Sequence, residues 1–88
     1  MTHILVVEDE ERIASFLTKG LTAAGYTVSW AVSGGEALAL AKCEPADLII
    51  LDLGLADLDG MAVLARLRGA GCEAPVIILT ARTSVTDT

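Results

Sequence analysis

Short runs of aliphatic residues alternate along the chain with longer segments in which apolar residues recur every three or four positions. Runs of the first kind are typical of buried strands, and segments of the second kind are typical of amphipathic helices. The aliphatic runs predict four strands, at residues 3–8, 27–31, 48–53 and 76–80. The alternation of strands with helices predicts an α/β fold built on a parallel sheet.

Three helices are expected between these strands. Asp9 is well placed to cap the first helix, and Gly25 to end it in a left-handed conformation. Ser33 and Glu36 have the spacing of a capping box, which predicts the start of the second helix. The third helix is expected to begin at Met61. The apolar face of the first helix is expected to consist of Ile13, Phe16, Leu17, Leu21 and Ala24.

Acidic residues follow two of the predicted strands directly. Asp52 closes the aliphatic run 48–51, and Glu8 and Asp9 follow the run 4–7. Right-handed crossovers and the doubly wound strand order 2-1-3-4 place the first and third strands side by side, with their carboxyl ends at one edge. We therefore expect these three carboxylates in one cleft, an arrangement typical of a cation site or of a nucleophile beside one.

Composition narrows the range of functions. A chain of 88 residues is long enough for one domain, and its net charge of -6 with only six Lys and Arg argues against contact with nucleic acid. Cys43 and Cys72 are too few and too widely spaced for a disulfide framework or a zinc site. The chain shows neither a signal peptide nor an apolar stretch that could span a bilayer, so we expect no membrane contact and a cytoplasmic location.

Four motifs carry a family resemblance. They are ILVVEDE (4–10), DLIILDL (47–53), LDG (58–60) and PVIILTAR (75–82). Their order and spacing resemble the receiver domain of bacterial two-component response regulators. The resemblance implies a flavodoxin-like, doubly wound parallel sheet of order 2-1-3-4-5. The fifth βα unit has no counterpart here, so residues 1–88 are expected to form one receiver domain that is incomplete at its C-terminus.

The same resemblance implies a set of functional residues. Asp52 falls at the position that accepts a phosphoryl group from a phosphohistidine on a sensor histidine kinase. Glu8, Asp9 and Asp52 fall at the Mg²⁺-binding acids, and Gly54 falls where a backbone carbonyl completes the protein ligands. Thr80 falls at the hydroxyl that senses the phosphoryl group. The implied activity is that of a phosphoacceptor signalling domain, not an enzyme, which takes part in phosphoryl transfer and autodephosphorylation.

Physical chemistry gives reasons for these residue types. A carboxylate that attacks a phosphoryl centre brings two anionic groups together, so a divalent cation must neutralise oxygens on both. Asp9 and Asp52 can supply the carboxylates that Mg²⁺ requires, and Glu8 can hold a metal-bound water. Without a cation, three neighbouring acids repel one another, which should raise at least one pKa. We therefore expect a weak metal site that phosphoryl transfer requires.

Two departures from the family pattern affect the expectations. The lysine that follows the fifth strand in receivers has no counterpart in these 88 residues. A fragment of a longer chain is the favoured explanation, and the alternative is a sheet completed by a partner, which leaves a homodimer open. Gly54 and Ala56 stand where a larger apolar residue and a proline are common, which predicts slower phosphorylation. The pairing of ILVVEDE with LTAR resembles receivers attached to winged-helix DNA-binding domains, so a C-terminal effector domain outside this chain is expected.

Three alternative hypotheses concern the function of the chain. The segment DLDGM (57–61) resembles the catalytic loop of haloacid dehalogenase-type phosphatases, but its first Asp lies five residues after Asp52, where the apolar run ends. A nucleotide-binding enzyme would need a glycine-rich turn after the first strand, where this chain has the four acids of residues 8–11. A receiver-like interaction module that is never phosphorylated is the third reading, and it would typically lack part of the acidic set.

Overall fold

The computed structural model describes residues 2–55 and 59–79, which form four strands and three helices in strict alternation. In chain order these are β1 (His3–Val7), α1 (Glu11–Ala23), β2 (Thr27–Ala31), α2 (Gly34–Cys43), β3 (Leu48–Asp52), α3 (Gly60–Gly69) and β4 (Val76–Leu79). The predicted elements are confirmed. Their bounds differ by one residue at the ends of β1 and β3, where Glu8 and Leu53 lie outside the strands, and at the start of α3, which begins at Gly60.

The four strands form one parallel sheet in the order β2-β1-β3-β4, as the doubly wound topology predicted. Strands β1 and β3 are neighbours in the sheet and end in register, with Val7 opposite Leu51. On the other side of β1, Val7 also pairs with Ala31, the last residue of β2. Three strands therefore end at the same level of the sheet, and the residues that follow them meet at one edge.

Alternate residues of the central strands pack on opposite faces of the sheet, which is why β1 and β3 are continuous aliphatic runs. One face is covered by α2 and α3, and its buried core consists of Leu5, Val7, Ala31, Ala37, Ile49, Leu51, Leu55, Val63 and Leu67. The opposite face has a smaller buried cluster of Ile4, Val6 and Ile50. Helix α1 contributes partly buried Leu17 and Leu21 to this second cluster.

The apolar face of α1 differs from the prediction. Ala14 is its buried residue, and Leu17 and Leu21 pack against the sheet. Phe16 is 77% exposed and Ile13 is 37% exposed, so the expectation that both face inward was wrong. The helical period alone leaves the inward face ambiguous, and here the small side chain of Ala14 is fully buried.

Helix termini follow the predicted chemistry at α2 but not at α1. Ser33 is the N-cap of α2, and its hydroxyl accepts from the Glu36 amide at 3.1 Å. The N-cap of α1 is Glu10, which makes no side-chain cap hydrogen bond, so the prediction of Asp9 was wrong. Gly25 follows α1 with a φ of 101°, the left-handed conformation that was predicted. Among the described residues, no helix has both the length and the apolar character needed to cross a membrane.

Candidate metal and phosphoryl site

The three acids that the sequence singled out converge at the carboxyl edge of the sheet. Asp52 is the last residue of β3, and Glu8 and Asp9 directly follow β1, the neighbouring strand. One carboxylate oxygen from each lies within 4.8 Å of the others. Glu8 is 1% exposed and Asp52 is 4% exposed, whereas Asp9 is half-buried. The predicted convergence of these acids is confirmed in the structure.

Backbone amides hold two of these carboxylates in place. The Gly54 amide donates to Asp52 Oδ1 at 3.2 Å, and the Glu10 amide donates to Glu8 Oε2 at 3.3 Å. In each case the donor lies two residues after the acid, so the turn that follows the strand orients the side chain at the end of that strand. Both acids are therefore positioned by the local fold before any ligand arrives.

Burial of Glu8 raises its pKa to about 7. Desolvation is the largest cause, followed by the hydrogen bond with Asp52, while the Glu10 amide opposes the shift. The repulsion between the carboxylates of Asp52 and Glu8 adds to it. A raised pKa among the three acids was expected and is found, but burial contributes more to it than the repulsion between them. Near neutral pH and without a cation, Glu8 is therefore protonated for part of the time.

This raised pKa predicts a pH-dependent stability in metal-free buffer. The folded state prefers protonated Glu8, so its stabilising effect is complete below the ordinary pKa of 4.5 and is lost as the pH rises through about 7. At about 1.4 kcal/mol per pKa unit, the loss is on the order of 3 kcal/mol. Glu8→Gln, which cannot ionise, should flatten this part of the profile.

Urea unfolding of the full chain from pH 4 to pH 8 in EDTA measures this effect. Glu8→Gln should be more stable than the wild type at pH 8. Glu36→Gln is a matched control, because Glu36 is exposed and lies at the start of α2. Equal pH profiles for wild type and Glu8→Gln would contradict the prediction.

Strand β2 adds a contact that sequence reasoning missed. The indole Nε1–H of Trp30 donates to the backbone carbonyl of Glu8 at 2.7 Å, and the Glu8 amide donates to the Ala31 carbonyl at 3.0 Å. A Trp near the end of the strand that neighbours β1 was the available signal, because a partly buried indole N–H requires an acceptor.

The remaining predicted residues have different outcomes. Gly54 lies in the exposed turn directly after β3, and its role as a carbonyl ligand stays a prediction. Thr80 lies outside the described residues; Leu79, the last described residue, pairs with Asp52 across β3 and β4. Asp57 is also outside the described residues. Asp59 is the N-cap of α3, where its carboxylate accepts from the Met61 amide at 3.5 Å.

The donor set fits Mg²⁺. This ion binds oxygen ligands, takes only one or two carboxylates and keeps several waters. Asp9 and Asp52 could supply the carboxylates, and the carboxylate oxygens of the three acids lie within 4.8 Å of one another, so Glu8 could contribute through a water. A cation would also relieve the repulsion that contributes to the raised pKa of Glu8. The site therefore has the charge, the ligand chemistry and the spacing for a small divalent cation.

A parallel sheet of this order with an acidic cluster at its carboxyl edge is typical of doubly wound, flavodoxin-like α/β proteins. Comparison with known proteins identifies the family within this class. Residues 4–88 match the family model of the response regulator receiver domain. The chain belongs to this family.

Two similar solved structures contain a divalent cation, one with BeF and one with a phosphorylated aspartic acid. The response regulator protein TrrA from Thermotoga maritima in complex with Mg²⁺-BeF has a TM-score of 0.86 and 37% identity over 92% of this chain and 70% of its own. TrrA has also been solved in complex with the histidine kinase ThkA. A response regulator protein from Burkholderia pseudomallei with a phosphorylated aspartic acid and a calcium ion has a TM-score of 0.84 and 35% identity over 91% of this chain and 47% of its own.

Curated relatives include transcriptional regulators. The transcriptional regulatory protein KdpE of Mycobacterium tuberculosis is 48% identical over 87 residues, which is 99% of this chain and 38% of KdpE. This chain therefore spans little more than a third of the length of the curated relative.

Proposed function

We propose that this chain accepts a phosphoryl group on Asp52, in a Mg²⁺-dependent transfer from a phosphohistidine of a sensor histidine kinase. One observation carries the proposal: Glu8, Asp9 and Asp52 place their carboxylate oxygens within 4.8 Å of one another at the carboxyl edge of the sheet. Solved relatives with Mg²⁺-BeF, with a phosphorylated aspartic acid and with a histidine kinase support it.

The chemical step uses Asp52 as the nucleophile. A carboxylate oxygen of Asp52 attacks the phosphorus in line, an O–P bond forms, and the P–N bond to the kinase imidazole breaks. The electron pair of the broken bond leaves with the imidazole nitrogen, so the product is an acyl phosphate on Asp52. The Gly54 amide, which donates to Asp52 Oδ1 at 3.2 Å, holds the side chain during the attack. Mg²⁺, when bound, neutralises negative charge on the phosphoryl oxygens.

The other acids prepare the site. Asp9 and Asp52 would hold the cation, together with the Gly54 carbonyl, and Glu8 would bind it through a water. Because ionised Glu8 is costly in the absence of positive charge, cation binding and loss of the Glu8 proton are coupled. The Thr80 hydroxyl then donates to the phosphoryl group and draws the end of β4 inward, which is the step that signals the modification. Autodephosphorylation by water returns Asp52 to its carboxylate.

The wider role follows from the family. We propose a cytoplasmic response regulator whose partner is a sensor histidine kinase and whose output is transcription regulation. The DNA-binding domain would lie outside these 88 residues, because this segment has a net charge of -6. Kinship with KdpE, a transcriptional regulatory protein, supports this output. Two copies of the chain could also pair as a homodimer.

The alternative of a receiver-like module that is never phosphorylated is less well supported. Such a module has no need to bury two carboxylates at distances that raise the pKa of one of them. The phosphatase hypothesis is also less well supported, because Asp59, the second Asp of the DLDGM segment, caps α3.

The test is a phosphorylation assay on the full chain that contains these residues. We expect incubation with acetyl phosphate and Mg²⁺ to add one phosphoryl group, seen by intact mass and removed by hydroxylamine. Omitting Mg²⁺ and adding EDTA should reduce the yield to background. Phosphoramidate serves as a second donor. A chain that binds Mg²⁺ but gains no adduct from either donor would contradict the proposed function.

A further inference from the structure

Trp30 reaches along the edge of the sheet to the backbone between the two acids that follow β1. Its position in β2 is level with Val6, yet its indole Nε1–H donates at 2.7 Å to the carbonyl of Glu8, two residues further along the chain and just beyond the end of β1. The ring is partly buried against the cluster of Ile4, Val6 and Ile50. One side chain therefore packs on the core and binds the backbone of the acidic site.

The acceptor of this hydrogen bond has a special place in the chain. The carbonyl of Glu8 and the amide of Asp9 belong to the same planar peptide unit. Whatever fixes that plane sets the ψ angle of Glu8 and constrains the φ angle of Asp9, and so directs the side chains of both residues. The preceding peptide is held by β2 as well, since the Glu8 amide donates to the Ala31 carbonyl at 3.0 Å.

The strand ladder cannot provide this restraint. Pairing of β1 with β2 ends at Val7 and Ala31, and after Val32 the chain turns into α2. The N-cap of α1, Glu10, makes no side-chain cap hydrogen bond. The indole N–H therefore restrains the backbone at the point where the regular pairing has stopped and before α1 begins at Glu11.

We propose that Trp30 is a positioning residue of the cation site, whose indole N–H orients the Glu8–Asp9 peptide so that both carboxylates face Asp52. This inference rests on the proposed function, because it assumes that the three acids bind Mg²⁺. Trp30 touches neither the cation nor the phosphoryl group. Its effect is on how well the carboxylates are preorganised, as with other residues that orient metal ligands.

The decisive variant is Trp30→Phe, which keeps an aromatic ring for the core but removes the N–H. We expect the Kd for Mg²⁺ to rise about tenfold, in line with the loss of other groups that orient metal ligands. Thr27→Val is the matched control. It removes the hydroxyl that contacts the Thr2 carbonyl and the His3 ring at the opposite end of the same strand. The control should leave Mg²⁺ affinity unchanged.

Calorimetric titration of the full chain with Mg²⁺ gives the two affinities, and urea unfolding gives the stability of each variant. A packing role alone would lower the stability of Trp30→Phe without changing the Kd at concentrations where the protein is folded. The ¹⁵N shift of the Asp9 amide is a second readout, because removing a donor from the Glu8 carbonyl changes the polarisation of that peptide.

A measurement on the wild type covers the case in which Trp30→Phe does not fold. NMR should show the Trp30 indole N–H and the Glu8 carbonyl shifting together as Mg²⁺ binds. Unchanged Mg²⁺ affinity in a folded Trp30→Phe would overturn the inference. So would an indole N–H signal that does not shift with Mg²⁺ while the signal of the Asp52 amide does. Neither result would contradict the proposed function. A wild type that neither binds Mg²⁺ nor accepts a phosphoryl group would overturn both.

Discussion

Replacing Asp52 by asparagine should abolish formation of the phosphoryl adduct. The amide has nearly the shape of the carboxylate, but it carries no negative charge and is not a nucleophile towards phosphorus. Asp52 is 4% exposed at the end of β3, so a substitution of the same size is needed to keep the packing of that strand end. We expect the loss to be complete in an intact-mass assay with acetyl phosphate and Mg²⁺, while the fold is retained.

The control for this prediction is Asp59→Asn. Asp59 is an exposed acid close in sequence, and it caps α3 through an oxygen that asparagine also possesses. Its variant should be phosphorylated as well as the wild type. An adduct of normal yield on Asp52→Asn would show that another group, such as Asp9 or Glu8, accepts the phosphoryl group.

The sequence was sufficient to predict the strands, their order and the acidic site, because each of these features depends on a local pattern of residues. Aliphatic runs mark parallel strands that are buried on both faces, and the rule of right-handed crossovers leaves few ways to order them. An acid directly after such a run lies at the edge of the sheet. Glu8 and Asp52 were identified in this way, and their near-complete burial is what makes the pKa of Glu8 unusual.

Features that depend on how helices and strands pack against one another could not be predicted from the sequence. The exposure of Phe16 depends on the rotation of α1, and the apolar period allows more than one rotation. The hydrogen bond from Trp30 to the Glu8 carbonyl depends on the end of β2 lying beside the end of β1. Thr80, which the family resemblance selected, lies outside the described residues, so its role remains a proposal.

Gly60→Ala should destabilise the protein strongly, and for a reason that the sequence did not reveal. Among the described glycines a positive φ is found only at Gly25 and Gly71, so a left-handed backbone is not what requires glycine at position 60. The cause is close approach: a Cβ at Gly60 would lie 2.7 Å from the Leu53 Cα and 3.0 Å from the Asp52 carbonyl oxygen. These are backbone atoms, so no side-chain rotation can relieve the clash. The start of α3 would have to move away from the end of β3.

We expect Gly60→Ala to lower the free energy of unfolding by roughly 3 kcal/mol, the upper part of the range for overpacked sites. Urea unfolding of the full chain measures the change. Gly69→Ala is a matched control in the same helix, because a Cβ there would meet nothing within 4 Å. It should be neutral or stabilise by up to about 1 kcal/mol, since alanine is the better helix former.

The difference between these two variants also tests how the site is supported. The backbone that the added Cβ of Gly60→Ala would meet belongs to Asp52 and Leu53. The Gly60 amide also donates to the Leu53 carbonyl at 3.4 Å. Phosphorylation of Gly60→Ala should therefore be slower than that of Gly69→Ala even in the absence of denaturant, where both are folded. Equal stability and equal phosphorylation rates in the two variants would mean that α3 can shift freely against β3. The close packing of α3 would then have no part in holding Asp52 in place.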